Sequence, residues 1–344
     1  MGGLGDNSPN LLFRLFGKKG WEAMRLKKEI IKLKDAIINM GDDSSSIPVD
    51  VKSSKLNDLK IVFEKHIGRI LASKKDAVRK NKEYEQFLAE NKMMHSDRIV
   101  AQQIQKSMLR VNYPAFPEFS QIDLFADMDS ANEIGGDFYD YFKIDDDHIC
   151  FSIADIEGKG IPAAMYMAVA KTLIQLRLES GESLSKVFGS VNKQLCQSSM
   201  QKRFITMWAG ILELSTGKIT YINAGHNAPI LKRNGEKAEL IKNRSGLPIA
   251  SFFSKKKELG DYSEFELNIA KGDMLVLYTD GITEAMNNNS EIFGEQRLLD
   301  LIDLYATSDK NSNEISSYIR RQVLTFASNT TQDDDITLLI LKFN

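Results

Sequence analysis

The chain has 344 residues, 42% apolar and 27% charged, a globular balance that excludes a disordered or low-complexity polypeptide. Its 45 basic and 47 acidic side chains leave a net charge of −2, which excludes a globally basic nucleic-acid binder. Two cysteines, Cys150 and Cys196, cannot make a disulfide framework and lack zinc-site spacing, so a reducing, cytoplasmic compartment fits best.

No run approaches the roughly 18 apolar residues of a spanning helix. Asn10–Phe16 and Ala163–Ala170 are too short or end at a charge. Asp6 stands where a myristoylation signal needs Ser or Thr, and no basic lead-in marks a secretion signal. A soluble protein without membrane contact is expected.

Charge divides the chain. Residues 1–50 carry 8 basic and 7 acidic groups, residues 51–110 carry 14 and 7, and residues 111–344 carry 23 and 33. Three parts are therefore expected: a weakly specified segment 1–50, a helical linker 51–112 and a catalytic domain 113–344.

In the first, Trp21–Ile38 can form a helix, followed by the polar linker Gly41–Pro48. The second contains no proline and, between 56 and 110, one glycine, Gly68. A heptad frame places Leu56, Phe63, Ile70, Ala77 and Tyr84 at a positions and Leu59, Phe87, Met94, Ala101 and Met108 at d. His66, Ser73, Lys80, Asn91, Arg98 and Gln105 interrupt that seam. A dimerising two-stranded coil and helices folded back on the catalytic part both satisfy it. The positive charge here solvates the helix, since no groove-reading motif accompanies it.

From Tyr113 onward, after Pro114 and Pro117, short β-rich runs alternate with turn clusters. Strands are expected over Ile149–Ala154, Trp208–Leu214, Lys218–Asn223, Pro229–Lys232, Met274–Thr279 and Ile336–Phe343. Helices are expected over Pro162–Leu178, Leu184–Gln197, Glu295–Tyr305 and Asn313–Phe326. This mixture predicts an α+β layered domain.

The chemistry lies in carboxylates at strand ends. The strand ending at Ala154 runs into Asp155, the one ending at Thr279 runs into Asp280-Gly281, and Asp333-Asp334-Asp335 precedes the last strand. If that last strand is antiparallel to the other two, all three groups converge at one edge of the sheet. Carboxylates a few ångströms apart cannot all stay ionised without cations. Oxygen donors favour Mg²⁺ or Mn²⁺ over zinc. The segment Glu133-Ile134-Gly135-Gly136-Asp137-Phe138-Tyr139-Asp140 reads as a glycine turn joining two strands, whether or not Asp137 is functional.

Taken together and in this order, these segments resemble the metal-dependent PPM serine/threonine phosphatases, the protein phosphatase 2C class, in the bacterial branch typified by SpoIIE and RsbU. The resemblance rests on Glu133–Asp140, Ala154–Ala164, Asn223–Pro229, Tyr278–Ala285, Phe293-Gly294 and Asp334–Thr337, and spans about residues 95–344. Ser96–Leu109 resembles the branch's first helix, although Arg110-Val111 stands where the family carries Leu-Pro.

The resemblance implies a four-layer α-β-β-α sandwich with two Mn²⁺ or Mg²⁺ ions at its edge. It implies that Asp155 bridges both ions and that the Ile156 carbonyl binds one. Asp280 and Asp334 would hold the other, with Asp335 as the neighbour able to replace Asp334 and Asp137 as a direct or water-mediated ligand. Asp155, Asp280 and Asp334 are thus catalytic through a water that the ions acidify, which attacks phosphorus in line with the serine oxygen. His226 could protonate the leaving oxygen or serve as local glue in its turn. Lys159 could face phosphate or be a solvated loop lysine.

The implied substrate is a phosphorylated STAS-domain anti-sigma-factor antagonist in partner switching. A regulator would act at the N-terminal helices of a homodimer, and movement of Pro162–Leu178 would carry its signal to Asp155. A catalytically silent adaptor and a hydrolase of small phosphoesters are the other readings open at this point.

Overall fold

The computed structural model describes residues 9–39, 46–50, 52–131, 134–197, 203–251, 262–328, 332 and 334–344. Glu133, Asp333, the linker residues 41–45 and the first eight residues, Asp6 among them, lie outside these. The chain forms two compact units, Met1–Met93 and Met94–Asn344.

In the first unit, α1 (Pro9–Ile38) is broken at Gly17, whose φ of 66° is left-handed, so this helical stretch begins well before the expected Trp21. The long helix α2 (Ser54–Met108) continues into the second unit over 55 residues, about 80 Å at 1.5 Å per residue. Leu33, Ile47 and Leu56 make a small core. Around it, Glu64 accepts the Ile47 N–H at 2.7 Å, Glu29 accepts the Ser53 N–H at 3.0 Å, and Lys60 donates to the Val49 carbonyl at 2.6 Å. Beyond this anchor the seam of α2 is uncovered: Phe63, Ile70, Tyr84 and Phe87 are all exposed.

Among the described residues, the second unit contains ten strands and five further helices. The strands are β1 (Ile122–Asp129), β2 (Phe138–Lys143), β3 (His148–Ile156), β4 (Ile205–Glu213), β5 (Lys218–Ala224), β6 (Ile230–Lys232), β7 (Ala238–Leu240), β8 (Phe265–Asn268), β9 (Met274–Tyr278) and β10 (Ile336–Phe343). The helices are α3 (Ile161–Glu179), α4 (Leu184–Gln197), α5 (Asp280–Thr283), α6 (Gly294–Tyr305) and α7 (Ser312–Ala327).

One sheet has the order β1-β10-β9-β6-β7 and the other β2-β3-β4-β5-β8. All recorded strand pairs are antiparallel. Helices α3 and α4 lie on the second sheet, and α6 and α7 on the first. The expected α+β four-layer α-β-β-α sandwich is the observed one.

The strands β9 and β10 are mostly apolar because both of their faces are covered; in β10 only Thr337 and Lys342 interrupt the run. Leu275, Leu277, Leu339 and Leu341 point into the core that also holds Phe151 and Trp208. Val276, Tyr278, Leu338 and Ile340 pack instead with Leu298, Ile302, Ile319 and Val323 of α6 and α7.

The sheet geometry corrects one expectation. Asp155 ends β3 in one sheet, whereas Asp280 and Asp334 flank β9 and β10 in the other. The carboxylates therefore meet across the sandwich edge, and not along the edge of a single sheet. Likewise, the glycine turn leads from β1 to β2, strands of different sheets. Among the described residues, no helix is long and apolar enough to cross a membrane.

Candidate metal centre

Three local devices bring the carboxylates together. The antiparallel register of β9 and β10, with Tyr278 opposite Leu338, sets the start of β10 beside the end of β9. The register of β2 and β3, with Phe138 opposite Ala154, carries Asp137 toward Asp155, whose charge helps to raise the Asp137 carboxyl. Glycines supply the clearance that links the two sheets. A Cβ on Gly135 would lie 1.9 Å from Oδ2 of Asp335, and one on Gly281 only 2.0 Å from the Asp335 carbonyl oxygen. A Cβ on Gly136 would lie 2.6 Å from the Ile156 carbonyl oxygen, the backbone donor expected at the centre.

The acidic residues have different surroundings. Asp137 is buried, and its Oδ2 accepts hydrogen bonds from the hydroxyls of Thr279, at 2.6 Å, and Thr337. Asp335 is buried and turned toward backbone. Its Oδ1 accepts the Ala131 N–H at 2.9 Å, and its Oδ2 accepts those of Gly136 at 2.8 Å and Asp137 at 3.3 Å. Asp334 is more open, and its Oδ1 lies 2.9 Å from Nζ of Lys159. Lys159 is thus not the freely solvated loop lysine that its sequence context permits.

Burial, followed by the charges of Asp280, Asp334 and Asp335, pushes Asp155 up to about 7. Burial and then Asp155 and Asp335 hold Asp137 well above the usual carboxylate range. Burial and then Asp334 and Glu284 raise Asp280. The cluster therefore retains protons that cations would replace. Its donors are carboxylates and a backbone carbonyl, hard oxygen ligands suited to Mn²⁺ or Mg²⁺.

His226 supplies no such donor. Its Nδ1 lies 3.0 Å from the Thr206 hydroxyl, its N–H donates to Oδ1 of Asn223 at 2.8 Å, and burial lowers its ring to about 4. These are the local contacts of a turn histidine, neutral at physiological pH. Asp147, His148 and Glu213 also approach one another, at the opposite end of β3 from Asp155.

Several contacts escaped the sequence reading. Gln105, buried on α2, donates from Nε2 to the Gly135 carbonyl at 3.0 Å and meets Sδ of Met167 on α3 at 3.8 Å. Arg110, the departure from Leu-Pro, lies with Nε 3.1 Å from Oδ1 of buried Asp140, which also pairs with Lys171 of α3. Its carbonyl accepts the Tyr139 hydroxyl at 2.9 Å. The end of α2 is thereby joined to the glycine loop, β2 and α3 at once. A polar residue at an a position is the signal that could have marked Gln105.

Comparison with known proteins agrees with this architecture. The family described as stage II sporulation protein E (SpoIIE) matches residues 145–344, more than half of the chain. Protein IcfG of Synechocystis is 27% identical over 271 residues, which covers 70% of this chain and 40% of IcfG. The phosphoserine phosphatase RsbU of Bacillus subtilis is 27% identical over 245 residues, 71% of this chain and 69% of RsbU. The chain thus spans two fifths of IcfG and about two thirds of RsbU. In fold it is similar to the SiaA-PP2C domain of Pseudomonas aeruginosa, with a TM-score of 0.64 at 20% identity over 74% of this chain and 99% of that domain.

Proposed function

The chain belongs to the SpoIIE family of PPM-type phosphatases, and on that premise we propose that it is a Mn²⁺- or Mg²⁺-dependent protein phosphatase acting on phosphoserine and phosphothreonine. The observation that carries this reading is the meeting of Asp155 from one sheet with Asp280 and Asp334 from the other, at a charge density that keeps Asp155 partly protonated near neutrality. In this reading Asp155, the Ile156 carbonyl and Asp137 would hold one ion, and Asp155, Asp280 and Asp334 would hold the other. Bound there, the ions would supply an acidified water as nucleophile and neutralise charge on the phosphoryl group.

The chain's own groups do the positioning. Thr279 and Thr337 orient Asp137, while Asp335 holds the glycine loop through three backbone N–H groups and is not itself a ligand. No covalent intermediate on sulfur is invoked, because Cys150 is buried and its thiol is pushed far up by that burial.

RsbU's name as a phosphoserine phosphatase supports the substrate class. We assign the substrate as the phosphoserine form of a STAS-domain anti-sigma-factor antagonist, within partner-switching signalling in the cytoplasm. Mixing the full chain with such a phosphoprotein and Mn²⁺ should release inorganic phosphate. A phosphoprotein left intact while a phosphoserine peptide is hydrolysed would sink the substrate assignment but not the phosphatase.

We assign segment 1–50 and linker 51–112 to regulation, and 113–344 to catalysis. The exposed seam of α2 supports a homodimer joined by that helix, with a regulatory protein acting at the N-terminal helices. Sedimentation should find the full chain dimeric and residues 94–344 monomeric. The same number of chains per particle in both would refute the helical dimer.

A further inference from the structure

We propose that Lys159 is a built-in counter-ion of Asp334, which a metal ion at that position must displace, so that the chain binds this ion in competition with its own ammonium group. The inference rests on the metal-centre reading above and extends it to a residue with no assigned role.

The backbone around Lys159 is shaped to deliver it. Gly158 and Gly160, on either side, have φ of 92° and 85°, left-handed values that other residues adopt at a cost. Both flanks are tethered: the Glu157 carbonyl accepts from Nη1 of Arg203, and the Gly160 N–H donates to the Ile134 carbonyl at 3.2 Å. A Cβ on Gly158 would lie 1.9 Å from that same Nη1, so a side chain there would push the Arg203 guanidinium off the Glu157 carbonyl. From this held loop Nζ reaches Oδ1 of Asp334 at 2.9 Å, the oxygen that also accepts the Asp335 N–H at 2.9 Å.

A divalent cation on the Asp334 carboxylate would stand within a few ångströms of that ammonium, and like charges at that range repel strongly where water is partly excluded. Binding there therefore costs the breaking of the Lys159–Asp334 pair. The enzyme should fill this position only at higher free Mn²⁺ than its carboxylates alone would require, which makes its activity graded by cation supply.

The test is calorimetric titration of the full chain with Mn²⁺, comparing wild type with Lys159→Met and Lys159→Arg. Lys159→Met keeps the side-chain length without the charge and should tighten the weaker binding step about tenfold. Lys159→Arg should leave it near the wild-type value, and added salt should narrow the gap between wild type and Lys159→Met. Melting in chelator serves as the folding control and should move little, because the pair is partly exposed. If Lys159→Met binds Mn²⁺ as weakly as wild type or more weakly, the competition does not exist and Lys159 is a brace. If wild type itself binds no Mn²⁺, the metal-centre reading fails first and the inference falls with it.

Discussion

Replacing Asp155 by Asn is expected to lower kcat/KM on a phosphoserine substrate by at least about 10³-fold, while making the metal-free protein more stable at pH 8. The two effects have one origin. A group proposed to bridge two cations is costly to lose, and without cations the same group is strongly frustrated. Its carboxyl is raised from an ordinary value of 3.8 to about 7, first by burial and then by Asp280, Asp334 and Asp335. Below about pH 4 both folded and unfolded chains carry the proton and nothing is lost. As the pH rises toward 7 the unfolded chain has released the proton while the folded chain still holds it, so stability falls across this window. Above pH 7 the full penalty applies, of the order of 4 kcal/mol at most. Asn carries no charge to bury. Melting temperatures in chelator should therefore favour the variant at pH 8, with the gap narrowing at pH 5. A variant less stable than wild type at pH 8 would contradict this account of the electrostatics.

Asp334 and Asp335 are adjacent and chemically identical, yet their removal should have opposite consequences. Asp335→Ala leaves the N–H groups of Ala131, Gly136 and Asp137 without their acceptor in a buried loop. At about 1–3 kcal/mol for each unsatisfied group, a loss of roughly 3–9 kcal/mol is expected in denaturant unfolding. Asp334→Ala removes a partly exposed ion pair with Lys159 and should cost no more than about 1 kcal/mol. It should nevertheless abolish one of the two Mn²⁺ binding steps in calorimetry with the fold intact. Wild-type stability in Asp335→Ala, with metal binding lost, would exchange the roles of the two residues.

That distinction marks the boundary of what the sequence makes legible. The runs Ile149–Ala154, Met274–Thr279 and Ile336–Phe343 are visible as strands because covered faces demand mostly apolar residues, and each borders one of the clustered carboxylates. The sheet each strand joins is not visible, since it depends on pairings such as Leu338 with Tyr278 and Phe138 with Ala154 that no local pattern encodes. β1 escapes because Asp123, Asp127 and Asp129, a residue type depleted in strands, fill the polar positions of its alternation. Asp123 accepts from the Ser312 N–H and hydroxyl at 2.7 Å each, and Asp127 and Asp129 both lie 2.9 Å from Arg320 of α7. Their partners are nearly two hundred residues away. Gln105 reads as an interruption of a coiled-coil seam, and only the folded chain reveals that it holds the carbonyl of Gly135. The ambiguity between Asp334 and Asp335 is of the same kind, because which of two neighbouring carboxylates turns inward is decided by the loop that closes over it.

Carboxylates from two sheets forming a dimetal phosphatase centre should be visible in phosphate release from a phosphoserine peptide by the full chain, measured with and without Mn²⁺. The number of ions bound and an Asp280→Asn control complete the measurement. Two ions per chain, turnover that requires them, and loss of turnover in Asp280→Asn are expected. Turnover that persists in chelator, or a chain that binds no Mn²⁺, would contradict such a centre.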